Sequence, residues 1–363
     1  MHVAENKNCD LFNGRWVPDF RGLLYTNQSC STIPNSKNCG KHGRKDTDYL
    51  NYRWKPYGCE LHKFDATTFL SIVRGKTLAF IGDSVARNQM ESLLCLLSQE
   101  VTPIDMYKDS DDRFRTWYFA SHNFTIKVVW TKYFVLAEER VINGTHTGVY
   151  DLHMDKLDTN WTNTLPGVDI AIISSGHWFF RQIYLYEHGN MKACIYCNAG
   201  NISNVSPGFA VKKTFRLALK YINDCKECGN LLTLLRTFSP AHIENGSWNT
   251  GGRCNRTHPY SEKQINLGGS EWTLRNIQVQ EIERAKKKGK SRGKRFGHLD
   301  VTKAMLMRPD GHPDIHWDSQ WMHGYSDCVH WCLPGPIDVW NDLLMAELRK
   351  EDNIVLDDSG EEA

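Results

Sequence analysis

The chain has 363 residues, 40% of them apolar, with 44 lysines and arginines against 42 aspartates and glutamates for a formal charge of +2. That length can bury a large core, and near-neutrality excludes a global field that would make nucleic acid or a membrane surface the main partner. No run of 18 apolar residues occurs, and the opening MHVAENKNCD lacks the apolar stretch of a signal peptide.

Residues 9–60 hold Cys9, Cys30, Cys39 and Cys59 among turn formers and scattered aromatics, as in NGRWVPD and YRWKPYGC. Without a helical or strand period this reads as a loop-rich, disulfide-stapled segment that could not easily fold alone. Cys95, Cys194, Cys197, Cys225, Cys228, Cys254, Cys328 and Cys332 bring the cysteines to an even twelve. Acceptor sites for N-glycosylation begin at Asn27, Asn123, Asn143, Asn160, Asn201, Asn204, Asn245 and Asn255, against about three expected if the pattern were random. Both features point to an oxidising, secretory compartment. A native signal anchor is therefore expected that these residues do not include.

From Phe69 the pattern changes to alternating strands and helices. KTLAFIGD (76–83) predicts a core strand, and Met90, Leu93, Leu94 and Leu97 recur at helical spacing after it. TIKVVWTKYFVL (125–136), VDIAIISSG (168–176) and NLLTLLRTF (230–238) predict further strands, and VKKTFRLALKYI (211–222) a helix. GPIDVWNDLLMAELRK closes the folded part as a helix with Pro336 near its first turn. Such alternation predicts a parallel sheet covered on both faces, with catalytic groups on loops at the carboxyl ends of its strands. The basic run ERAKKKGKSRGKR (283–295) is expected to be an exposed loop, and DDSGEEA to end a disordered acidic tail.

The chemistry centres on Gly82-Asp83-Ser84. A serine hydroxyl needs a base and a stabilised oxyanion. A helix beginning near Ala86 would turn its free amides toward this seam, with Arg87 and Asn88 adding donors. The plainer alternative is that Asp83 or Ser84 caps the helix. A partner for Ser84 lies in SDCVHWCLPGP, where Asp327 and His330 are three residues apart. That spacing lets the carboxylate accept from imidazole Nδ1 while Nε2 faces a serine.

GDSxxRN at 82–88 together with DxxHWCLPG at 327–335 resembles the plant trichome birefringence-like family of polysaccharide O-acetyltransferases. The resemblance spans almost the whole chain. CDLFNGRWVPD, LYTNQSCSTIPNSKNCGKHGRKD and YRWKPYGCEL resemble the family's cysteine-rich N-terminal segment. RGKTLAFIGDSVARNQMESLLCLLS, SGHWFF, LLRTFSPAHIENGSWNTGG and RPDGHP follow in family order. It implies an α/β fold, a three-layer α/β/α SGNH (GDSL)-hydrolase-like domain over 69–350 with a central parallel sheet. The cysteine-rich segment 1–68 would pack on it, and 351–363 would be the tail. It also implies a triad of Ser84 as nucleophile, His330 as base and Asp327 orienting His330. Arg87 would contact the oxyanion or substrate, with Gly82, Asn88 and Asn123 as further candidates there, although Asn123 also lies in a glycosylation site. His177 and Trp178, after a strand, would line the cleft.

CIYC (194–197), MESLLCLL and LRTFSPAHIENGSWN are similar to the branch containing xyloglucan and mannan acetyltransferases. The implied activity moves an acetyl group from a donor, acetyl-CoA or another acetylated carrier, through an acetyl-serine to a hemicellulose hydroxyl in the Golgi lumen. The native protein would be a type II membrane protein. An acetyl esterase with the same triad and a non-catalytic wall-polysaccharide-binding protein are the rivals. No bound cofactor, metal or nucleic acid is expected. A zinc ribbon on the two CxxC pairs is disfavoured by the 27 residues between them (198 to 224) and by the oxidising context. One or two of Trp178, Trp317, Trp321 and Trp331 are expected to stack on sugar, with Trp331 instead packing the His330 loop.

Overall fold

A computed structural model describes residues 9–198, 200–247, 250–318 and 324–359, with side chains to residue 351. The cysteine-rich segment forms an antiparallel pair, β1 (Gly14–Pro18) and β2 (Tyr52–Pro56). Helix α1 (Ala66–Ile72), capped by the Asp65 carboxylate on Thr68 N–H, leads into β3 (Thr77–Gly82) and α2 (Ser84–Leu97). Strands β4 (Ile104–Lys108), β5 (Phe114–Phe119) and β6 (Phe124–Trp130) follow. After them come β7 (Val135–Ile142), β8 (Thr145–Leu157), the single turn α3 (Thr159–Thr162) and β9 (Ile170–Ser174). The hairpin β10 (Ile183–Glu187) and β11 (Asn190–Ile195) precedes α4 (Pro207–Asp224) and β12 (Leu232–Arg236). The chain ends through α5 (Ser270–Gly289), β13 (Arg295–Leu299), α6 (Thr302–Leu306) and α7 (Val339–Ser359).

The main sheet has the order β13-β12-β9-β3-β6-β5-β4, parallel from β13 to β6 and antiparallel at β5 and β4. Its central strands are apolar on both faces, and the pleat sends alternate residues to opposite sides. Leu78, Phe80, Ile170 and Ile172 pack toward α1, α2, α7 and the cysteine-rich segment. Ala79, Ile81, Ala171 and Ile173 pack toward α4, α5 and a second sheet, β11-β10-β8-β7. Each fully buried large side chain here contributes about 1.5–3 kcal/mol. The expected three-layer α/β/α domain is the observed one, and Tyr25, Cys30 and Trp54 bring the N-terminal segment into its first core.

Several elements differ from expectation. Residues 125–136 are two strands separated by a turn in which Phe134 takes a left-handed φ of 64°. The basic run is no loop: 283–289 form the last turns of α5. Lys, Arg, Glu and Ala are good helix formers, Ile282 and Ala285 pack into the core, and Glu281 pairs with Arg216 of α4 at 2.5 Å. The last helix continues to Ser359, into the segment expected to be a tail. Nothing in the sequence had called for the second sheet.

All twelve cysteines pair: Cys9–Cys59, Cys30–Cys95, Cys39–Cys332, Cys194–Cys197, Cys225–Cys228 and Cys254–Cys328. Each CxxC pair thus closes on itself. The eight sequon asparagines are all exposed. No helix among the described residues is long and apolar enough to cross a membrane.

Candidate active site

Chain order reverses between β3 and β9, since the elements after β3 build one side of the sheet and those after β9 the other. The carboxyl ends of these two strands are therefore where an open α/β sheet offers a crevice. Gly82 ends β3 there. A Cβ on it would lie 1.8 Å from the Ser174 carbonyl oxygen of β9, so close strand approach is what demands glycine. Asp83 caps α2: its Oδ1 accepts from Val85 N–H at 3.0 Å, and its Oδ2 accepts from Gly176 N–H at 3.2 Å, tying the turn to the end of β9. The helix starts at Ser84 rather than near Ala86. With the cap supplied by Asp83, the half-buried Ser84 hydroxyl is spared that duty, and the first-turn amides of α2 have no partner within the helix.

The candidate base, His330, is held by a buried carboxylate. Asp327 is fixed by backbone pairing with Asp314, and its Oδ1 accepts from the N–H groups of Val329 (3.2 Å) and His330 (3.0 Å). His330 Nδ1 lies 2.8 Å from Oδ2 and 3.0 Å from Oδ1. A carboxylate only accepts, so Nδ1 bears the proton and Nε2 carries the lone pair. Nε2 is shielded from solvent without a hydrogen-bond partner among the described residues. Lys37, from the cysteine-rich segment, places Nζ 3.2 Å from Asp327 Oδ2 in a buried ion pair. Burial alone would push the Asp327 carboxyl up. The electrostatic attraction of His330 and of the Lys37 ammonium, with the His330 hydrogen bonds, outweighs it and holds the carboxyl well below its ordinary value.

Asn88 joins the two halves. One turn beyond Ser84 and fully buried, it accepts from Trp331 N–H through Oδ1 at 2.8 Å and donates from Nδ2 to Trp331 C=O at 3.3 Å. Its amide clamps the residue after His330 from both its oxygen and its nitrogen. Cys332 and Cys328, bonded to Cys39 and Cys254, pin the same loop from either side. Buried Trp331 packs beneath it and donates from Nε1 to Ser239 Oγ at 2.9 Å.

Of the remaining candidates, Arg87 carries its guanidinium 5.0 Å above the Trp130 ring, and Trp130 meets Trp178 edge-on at 6.5 Å. Lys132 Nζ and the Arg181 guanidinium each lie 4.2 Å from the Trp178 ring centre. This partly exposed row borders a cavity of about 220 Å³ lined by Trp130, Lys132 and Tyr150. Burial pushes the Lys132 amine down to about 8. His177 follows β9 with its ring against Phe238 at 4.7 Å, and its Nε2 has no partner among the described residues. Desolvation brings it to about 4 despite the pull of Asp83, so it is neutral at neutral pH.

Asn123 does not belong to the site. It sits exposed in the turn before β6, its Oδ1 accepting from Tyr118 O–H, at the amino end of a strand parallel to β3. The seven residues of β6 separate it from the carboxyl edge. Trp317 donates from Nε1 to the Tyr325 carbonyl at 3.0 Å. Trp321 lies outside the described residues.

Lys37, Arg236 and the pair His242 and His312 escaped the sequence reading. Arg236, at the carboxyl end of β12, is buried and donates to Ser174 Oγ at 2.7 Å; burial pushes it down to about 10 against the Asp83 charge. His312 lies in RPDGHP and His242 in FSPAHIEN, both within segments of recognisable family texture. For Lys37 the sequence carries no signal, because its partner is 290 residues away.

Comparison with known proteins gives the family. Residues 7–60 match the PMR5 N-terminal domain, and residues 61–347 match PC-Esterase, the GDSL/SGNH-like acyl-esterase family found in Pmr5 and Cas1p. Xyloglucan O-acetyltransferase 4 of Populus trichocarpa is 62% identical over 351 residues, covering 97% of this chain and 83% of the relative. Xyloglucan O-acetyltransferase 2 of Arabidopsis thaliana is 55% identical over 344 residues, 94% and 83% of the two chains. Protein trichome birefringence-like 19 of the same plant is 44% identical over 356 residues, 97% and 83%. The chain therefore belongs to the GDSL/SGNH-like acyl-esterase family that includes the trichome birefringence-like proteins.

Proposed function

We propose that the protein transfers an acetyl group to a hydroxyl of xyloglucan through an acetyl-Ser84 intermediate. The observation that carries the reading is the solvent-shielded, unpartnered Nε2 of His330, its tautomer set by Asp327 and its loop clamped by Asn88 to the helix that Ser84 begins. In the first half-reaction Ser84 Oγ bonds to the acetyl carbon of an activated donor, acetyl-CoA or another acetylated carrier, while its proton passes to His330 Nε2. The carbonyl electrons move onto oxygen, held by the Ser84 amide in the first turn of α2, with Arg87 a further donor one turn along. Collapse expels the donor's leaving group, which takes the proton from His330. In the second half a sugar hydroxyl loses its proton to Nε2 and attacks the acetyl carbon, and Ser84 Oγ leaves and is reprotonated.

Trp130, in register with Gly82, and Trp178 would offer the aromatic surface left uncovered by Arg87, Lys132 and Arg181 to sugar C–H groups at this strand edge. The names of the similar relatives favour xyloglucan over mannan as acceptor. Paired cysteines and exposed sequons support a Golgi-lumenal location. The test incubates the protein and its Ser84→Ala variant with an acetyl donor and, separately, xyloglucan, glucomannan and xylan oligosaccharides. Ser84-dependent gain of one acetyl unit on xyloglucan alone is expected. Donor turnover without acetylated sugar would make the protein an esterase, and no Ser84-dependent turnover would favour a binding protein.

A further inference from the structure

Behind the catalytic loop two histidines form a continuous chain of contacts. His312 Nδ1 lies 2.7 Å from the carbonyl oxygen of His330. His312 Nε2 lies 2.7 Å from Nδ1 of His242, and His242 Nε2 lies 3.2 Å from the carbonyl oxygen of Leu306. A carbonyl oxygen only accepts, so His312 Nδ1 and His242 Nε2 must each carry a proton. Were both rings neutral, the two remaining nitrogens would face one another at 2.7 Å as opposed lone pairs. The three contacts together need three protons on four nitrogens, one more than two neutral imidazoles hold.

We infer that His242 and His312 share one proton as an imidazole–imidazolium pair in the active enzyme, and that this pair is the positioning device holding the His330 main chain. The surroundings suit one positive charge. Trp331 stacks on His312 with ring centres 4.1 Å apart and meets His242 edge-on at 6.2 Å, presenting an electron-rich indole to the cation. Around His242 the charges of Asp310, Glu271 and Glu244 favour protonation. Asp310 is itself paired with buried Arg308, and Glu244 with Arg256 and the Tyr260 hydroxyl. Around His312 the Asp327 charge favours the proton and a charged His177 would oppose it. Arg44 donates to the His312 carbonyl and so fixes the backbone of the pair.

Desolvation opposes charge on each ring, drawing His242 toward about 4 and His312 well below its ordinary value, so that, like His177, neither ring by itself would hold an extra proton at neutral pH, and it is the three contacts together that require one. A shared proton limits that cost to one charge over two rings, and the pair titrates as a unit rather than as two residues. Removing the shared proton leaves two donors' worth of hydrogen for three contacts, so one contact must open. When the contact to His330 is the one lost, the base shifts relative to Ser84. The activity consequence rests on the acyl-transfer reading; the protonation state does not.

Two measurements test it on the full chain. In ¹H–¹⁵N spectra of histidine-labelled protein near neutral pH, one strongly deshielded proton coupled to both His242 Nδ1 and His312 Nε2 is expected. It should vanish over the same pH range in which kcat falls on the alkaline side. Two neutral rings at every pH where the enzyme turns over would overturn the inference, and this readout survives even if no acceptor is ever acetylated. The His242→Asn variant places an amide donor against His312 Nε2 without an added proton. Parent kcat should fall about tenfold per pH unit beyond the alkaline limb, while the variant changes less than about twofold over the same range. An unchanged alkaline limb in a folded His242→Asn variant would also overturn it.

Discussion

Lys37 Nζ sits 3.2 Å from Asp327 Oδ2, both side chains buried, so the cysteine-rich segment reaches into the catalytic core and touches the carboxylate that orients His330. Leu333 N–H donates to the Lys37 carbonyl at 2.9 Å, and Cys39 is bonded to Cys332. The N-terminal segment is thereby part of the wall of the candidate site.

Replacing Lys37 with Met keeps the volume and removes the charge. Breaking one side of a buried pair costs about 3–5 kcal/mol, so the unfolding midpoint in denaturant should drop. Asp327 loses one of the charges holding its carboxyl low. A low folded value means that the carboxylate's contribution to stability is present above the unfolded value and lost as pH falls. In Lys37→Met that loss, and the acid limb of kcat, should begin at higher pH. At neutral pH kcat should fall about tenfold, about 1.4 kcal/mol of transition-state stabilisation. An acid limb that stays where it was would show that Lys37 does not act on Asp327.

Asn88→Ala severs the two-way clamp on Trp331 and leaves a buried N–H and C=O without that partner, at about 1–3 kcal/mol each. A fall in kcat of about a hundredfold is expected, since small misplacements of reacting groups cost that much, with little change in KM. Equal losses from Asn88→Ala and from a stability-matched core variant would remove the positioning role.

Asp342 is half-buried, with Phe64 N–H donating to its Oδ1 at 2.8 Å, and desolvation raises its carboxyl to about 7. A folded value above the unfolded one means stability fully present below the unfolded value and lost as pH climbs through the folded one. Asp342→Asn should match the parent near pH 4 in denaturant melts. It should then gain on it up to about pH 7, at about 1.4 kcal/mol per pH unit and no more than about 4 kcal/mol in total. A pH-independent difference would contradict the raised carboxyl.

The strands that build the site were legible because parallel strands buried on both faces leave uninterrupted apolar runs, as in Leu78–Ile81 and Ile170–Ile173. Motif spacing and family resemblance singled out Ser84, Asp327 and His330, and of these the structure joins Asp327 to His330. Other features depended on contacts that no local pattern encodes. β7 gathers its apolar residues at its two ends around Glu138, Glu139 and Arg140, and only Tyr150–Met154 of the long β8 alternates apolar and polar, so their sheet has only a short period-two signal. The basic end of α5 hides its buried stripe of Ile282 and Ala285 among lysines. Asn123 was a candidate only through the family resemblance, and the direction of its strand puts it at the wrong edge. Lys37, His242 and His312 meet their partners only across the folded chain.

The most direct test of the central claim is peptide mass spectrometry of the Ser84 segment after brief exposure of the enzyme to an acetyl donor without acceptor, followed by acid quench. The account predicts one acetyl group on Ser84 that disappears when xyloglucan oligosaccharide is added before the quench and then turns up on the sugar. Acetylated xyloglucan formed while Ser84 never carries an acetyl group, or formed undiminished by Ser84→Ala, would contradict it.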